Sequence, residues 1–160
     1  MARAYTVVFE NVAVAAAQDL FEIQPADDKP IELLGMVLSN VGGIADAGDA
    51  QEELLRLLVR RGHATSGSGG TAPTPRPLDP FSAAAGFVSE VNNTTIASTG
   101  TTHDLHADGW NIRVPFVFWW SDPITRPKAT QQDVTIVVRL VAAPNDSVQC
   151  SGTLYVNELP

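Results

Sequence analysis

An all-β sandwich of the jelly-roll kind, with about eight strands and one long extended arm, is the fold class this sequence predicts. Three observations predict it. Apolar residues recur with period two over most of the chain, turn-forming residues punctuate it at the roughly 8–12-residue spacing of sandwiches and barrels, and a Gly- and Pro-rich stretch, Ser66 to Pro80, parts two apolar-rich blocks. At 160 residues the chain suits one domain, residues 1–160, that buries a real core. Two independent halves would each be marginal.

Tyr5 to Val14, Leu20 to Gln24 and Ile31 to Leu38 are predicted as three strands. An Ala-rich corner and Pro25-Ala26-Asp27-Asp28-Lys29-Pro30 separate them, with Asp27-Asp28 in a turn. Gln51 to Arg61 carries conflicting signals. Asp49-Ala50-Gln51-Glu52 suits a helix start and Arg60-Arg61-Gly62 a helix end. A strand with Leu55, Leu57 and Val59 inward and Arg56 and Arg60 outward also fits. The strand is preferred, because the sandwich otherwise lacks an element between Leu38 and Phe87.

Phe87 to Ile96 and Thr101 to His106 fit strands less regularly. From Trp110 the even positions read Trp110, Ile112, Val114, Phe116, Phe118, Trp120, one face of a strand packed on a core. Pro115 in its middle demands an edge or a bulge. Val134 to Ala142 and Val148 to Val156 alternate in the same way, and Pro144-Asn145-Asp146 between them predicts a C-terminal hairpin.

Composition narrows the function. Lys+Arg 10 against Asp+Glu 18 gives a net charge of −8, and only Lys29 and Lys128 are lysines. Such a chain repels phosphate backbones, so direct nucleic-acid binding is excluded as an expectation. No apolar run approaches a membrane helix or a signal peptide, so a soluble protein made in a cytoplasm is expected. With 18% charged residues, against roughly 25% in an ordinary domain, the surface suits a protein partly covered by partners. Cys150, the single cysteine, excludes an intrachain disulfide and sits in an apolar alternation that buries a free thiol.

No catalytic constellation assembles. His103-Asp104-Leu105-His106 with Asp108 and a distant His63 is the one cluster resembling a metal or acid–base site. On a strand the two nearby histidines point to opposite sides, so polar loop or interface residues are the preferred reading. Asp46, Asp49, Glu52 and Glu53 lack the ligand spacing and central glycine of a calcium loop. Ser66-Gly67-Ser68-Gly69-Gly70 matches neither a phosphate loop nor a nucleophile elbow, and a flexible hinge accounts for it. No enzyme activity, cofactor or metal is expected.

The arm remains. Fixing roughly 15 residues costs on the order of 15 kcal/mol of backbone entropy, somewhat less where prolines have already stiffened the chain. Recovering that from apolar burial takes about 600 Å² of contact. The segment is therefore expected to lie along a surface, its own domain's or, preferably, a neighbouring subunit's. Its candidate interface residues are Pro73, Pro75, Arg76, Pro77, Leu78 and Phe81, joined by the outward Trp119.

Tyr5-Thr6-Val7-Val8-Phe9-Glu10-Asn11-Val12-Ala13-Val14, the Gly62 to Gly70 stretch with its proline arm, and the closing Ala143 to Ser147 and Ser151 to Val156 resemble short proteins encoded by tailed bacteriophages and prophages. The resemblance runs over nearly the whole chain. It implies a small virion structural protein, capsid-associated or decorating, unlike the larger α/β shell-forming capsid proteins. The expected partners are the chain itself, with a trimer as the favoured order, and capsid proteins of the same virion. A carbohydrate-binding sandwich module that uses Trp119 is the alternative.

Overall fold

The computed structural model describes residues 3–42, 53–130 and 135–160. Eight principal strands are β1 (Arg3–Val14), β2 (Gln18–Gln24), β3 (Ile31–Asn40), β4 (Leu54–His63), β7 (His103–Asn111), β8 (Phe116–Trp119), β10 (Thr135–Leu140) and β11 (Val148–Glu158). The two long connections add β5 (Arg76–Pro77), β6 (Val88–Asn93) and β9 (Lys128–Ala129). One sheet has the order β5-β1-β11-β3-β8, with β9 also on β3, and the other β6-β2-β10-β4-β7. Every pairing is antiparallel.

Without the strands that the connections supply, the orders are β1-β11-β3-β8 and β2-β10-β4-β7. Consecutive principal strands lie in opposite sheets, except that β4 and β7 pair. This is the jelly roll the sequence predicts. Its core lies between the sheets: Tyr5, Val7, Met36, Leu38, Leu154 and Val156 from the first meet Phe21, Ile23, Leu57, Val59, Ile136 and Val138 from the second. Phe9 and Phe21 touch across the gap, ring centroids 5.1 Å apart.

Tyr5 to Val14, Leu20 to Gln24 and Ile31 to Leu38 fall within β1, β2 and β3, and Ala26–Lys29 forms the expected turn. From Leu54 on, the 51–61 segment is a strand, with Leu55, Leu57 and Val59 buried. Sheet pairing on both sides of β4 overrides the helix signals. Asp46, Asp49, Gln51, Glu52 and Val134 lie outside the described residues.

Two predictions of continuity fail for one reason. Trp110 to Trp120 is not one strand: Trp110 lies next to the end of β7 in the second sheet, and β8 belongs to the first. The corner is closed by Val114 N–H to Asn111 O and by the Trp110 indole N–H to Val114 O, 2.9 Å. Likewise β10 and β11 form no hairpin, since β10 pairs with β2 and β4 while β11 pairs with β1 and β3. In a sandwich, side chains of both sheets face one interior, so alternation runs on through a corner that changes sheets.

The arm also departs from its preferred reading. Its backbone bonds go to its own domain. Arg76 and Pro77 pair with Thr6 and Tyr5, and Leu78 N–H donates to Ala4 O. Upstream, residues 65–71 bridge to 91–98 at Thr65–Ser98, Ser68–Thr95 and Thr71–Val91. The segment therefore runs from the edge of the second sheet to the edge of the first. Its glycines form a fitted cover, not a flexible hinge: a Cβ on Gly70 would collide with Val91 O and stand 2.8 Å from Asn92 O. Among the described residues no helix is long and apolar enough to cross a membrane.

Candidate functional site

The outer faces of the two sheets differ in chemistry and in cover. On the second sheet, Glu90, Glu22, Val137, Arg60 and Asp104 stand in one cross-strand row, and Asn93, Asp19, Arg139, Leu58 and Ala107 in the next. The bridged segments 65–71 and 91–98 bury much of this face. Asp19 is fully buried, and Arg139 grips it through two bonds of 2.6 and 3.0 Å. Both also hold the cover: Arg139 donates to Ala97 O, and Ala97 N–H donates to Asp19. Glu22 accepts from Gly67 N–H and from Asn93 Nδ2, each at 3.0 Å. A buried charge is tolerable only when paired and bonded in this way.

The first sheet presents the opposite character. Val8, Thr153, Val37 and Val117 form one row across β1, β11, β3 and β8. Arg76, Thr6, Tyr155, Gly35 and Trp119 form the next. Only Arg76, at the margin, is charged. Val117, Trp119 and Val8 are each about half exposed (56, 50 and 49%). Trp119 packs beside Tyr155, ring centroids 4.7 Å apart, in space that Gly35 leaves free. Toward one end the band meets Glu32, whose carboxylate receives Arg126 at 2.8 Å and Asn157 at 2.9 Å, with Lys128 at 3.7 Å. Burial pushes the Glu32 pKa up, and these donors and cations outweigh it to leave the net shift downward.

The arm residues are split. Pro73, Pro75 and Pro77 are half-buried, while Arg76, Leu78 and Phe81 are exposed, Phe81 at 95%. Arg3, Ala4, Leu78, Asp79, Phe81, Ser82 and Ala83 line a shallow open cleft of about 330 Å³. Arg76 thus shares a sheet face with Trp119, whereas the prolines serve their own domain. Tyr155, Val8, Val37 and Val117 are not among the interface candidates that the sequence suggests. Their signal was apolar or aromatic residues at the outward positions of alternating strands.

The histidine cluster does not converge. Asp104 is held by Arg60, a contact that lowers the Asp104 pKa and raises that of Arg60. His106 packs on Phe118, centroids 4.3 Å apart, with Nε2 3.4 Å from Asp108. His63 is buried, and desolvation, then Arg139, hold its pKa below the usual value. These residues lie in strands, not in a polar loop. Glu53 accepts from Asn145 N–H at 2.7 Å. Among the described residues no three His, Cys, Asp or Glu side chains gather to hold a metal. Burial raises the Cys150 thiol to about 11, far from a nucleophile's range.

In comparisons with known proteins, no family model, no curated protein and no solved structure matches the chain.

Proposed function

We propose that this chain is a structural subunit of a bacteriophage virion, a capsid-associated or decoration protein that attaches through the outer face of its first sheet. One observation carries the reading: on a chain of net charge −8, two neighbouring cross-strand rows hold no charge except Arg76 at the margin. A solvent-facing sheet ordinarily alternates into charged or polar residues. Here valines and aromatics stand in their place. Jelly rolls serve both capsid and lectin domains, so the architecture fits by analogy. The phage assignment itself comes from the sequence resemblance. An acidic surface suits a position facing away from packaged DNA.

Co-sedimentation with capsids of the encoding phage tests the reading. Trp119→Ala and Val8→Lys should each lose particle binding while the circular dichroism spectrum stays unchanged. Full binding by both variants overturns it. The pairing of Trp119 with Tyr155 favours one second reading, a carbohydrate module, because adjacent aromatic rings offer an apolar platform with a polar tip. Saturable quenching of tryptophan fluorescence by oligosaccharides, lost in Trp119→Ala with particle binding intact, would favour it.

A further inference from the structure

Sheet edges are where one chain recruits another, and proteins guard them with charge, proline, bulges or cover. Three edges of this sandwich are guarded. β7 carries Asp104 and Asp108, with a register shift beside Leu105. β5 is two residues long, with Pro75 before it and Pro77 within it. β6 is bonded by Thr71 through both of its Val91 backbone groups. β8, Phe116-Val117-Phe118-Trp119, follows Pro115 but itself contains no charge and no proline and keeps an unbroken register with β3.

Among the described residues, the register shows which groups β8 leaves open. Trp120 N–H donates to Leu34 O at 3.0 Å, and the ladder continues as Gly35–Trp119, Met36–Phe118, Val37–Val117 and Leu38–Phe116. Bonded and non-bonded pairs alternate along an antiparallel ladder. Phe116 and Phe118 therefore spend their backbone groups on β3. The N–H and C=O of Val117 and Trp119 point out of the sheet edge.

We propose that two copies of the chain join edge to edge, β8 against β8, antiparallel about a two-fold axis at Phe118. Val117 of each copy then faces Trp119 of the other, and each such pair exchanges both of its backbone bonds. The edge carries no charge, so no like charges meet there, on a chain whose net charge of −8 repels its copies elsewhere. The pairing also joins the two uncharged faces. The Val8–Thr153–Val37–Val117 row of one copy runs on into the Trp119–Gly35–Tyr155–Thr6 row of the other. A closed two-fold contact gives a dimer, not the trimer that the resemblance suggests. This contact supplies the self-association of the assembly reading and rests on that reading only for its purpose.

Native mass spectrometry and sedimentation velocity of the full chain over a concentration series, with amide hydrogen exchange, test the pairing. Wild type should pass from monomer to dimer, more readily at higher salt as repulsion is screened. The Val117 and Trp119 amides should gain protection as it does. Val117→Pro deletes an outward N–H and no bond to β3, and Val117→Lys puts a charge on the edge. Each should weaken the dimer by about tenfold or more with circular dichroism unchanged. Should Val117→Pro unfold, Val117→Lys decides. A wild-type monomer at every concentration, a trimer, a dimer indifferent to Val117→Lys, or equal exchange of the two amides in monomer and dimer would overturn the pairing. No particle is present, so this result and capsid co-sedimentation can fail independently.

Discussion

The indole of Trp119 occupies the space that a side chain on Gly35 would need, on the strand beside it. A Cβ at Gly35 would meet the indole itself and lie 2.7 Å from the Phe118 carbonyl oxygen, which belongs to the sheet backbone and cannot swing away. Gly35→Ala should therefore cost about 1–3 kcal/mol and lift Trp119 away from Tyr155. Denaturant unfolding reads the first effect and tryptophan emission the second. Trp119→Ala, at a half-exposed position, should cost less stability than Gly35→Ala.

Arg139→Met strands Asp19 without its counter-charge under the 91–98 segment. Removing one partner of a buried pair costs about 3–5 kcal/mol, whereas replacing both by apolar residues is often near neutral. Asp19→Leu combined with Arg139→Met should recover part of the loss but not all of it, because the buried Ala97 N–H and C=O then lose their partners. The Ala97 amide, which donates to Asp19, should exchange faster in the single variant, because the cover loses its anchor.

Mild acid should weaken the fold through His63. The folded pKa of His63 is lowered by burial and then by Arg139, from an unfolded value near 6.5. The unfolded chain therefore binds the proton more readily. This contribution to stability is whole above pH 6.5 and declines as pH falls from there through the lower folded value. Denaturant midpoints at pH 7.5 and 5.5 should differ in wild type, and His63→Gln should flatten that difference. Asp104 and Glu32, also lowered, act only at pH values below 3.8 and 4.5, their ordinary values.

Shortening the arm should harm folding, not merely assembly. A Gly-Ser bridge in place of Thr71 to Asp79 removes β5 from the edge of β1 and takes away the cover near Tyr5, whose hydroxyl donates to Ala83 O and whose ring meets Phe87 at 5.5 Å. A lower melting temperature is expected. An unchanged melt with lost particle binding would restore the arm as an intersubunit strap.

The strands were legible because alternation is a local signal. The sheet to which each strand belongs was not, since Trp110 and Trp120 are both buried although they belong to different sides of a corner. The arm's length, glycines and prolines marked it as unusual. They carried no information about which surface it lies on, because that depends on edges formed by residues far away in sequence, Thr6 and Val91. Parity alone puts Trp119 outward, which the structure bears out. Its neighbours Tyr155 and Val8 needed the cross-strand register.

β1 and β11 pair from Arg3–Glu158 to Val14–Val148, and β11 alone separates β1 from β3. During synthesis on the ribosome, β1 and β3 must wait for β11 to emerge before the first sheet can close. Folding is then expected to be slow, since pairings so distant in sequence demand loop closure before they reward it. In the interval two apolar strands stand open, so the time until β11 is made and the supply of chaperones set how much nascent protein escapes aggregation.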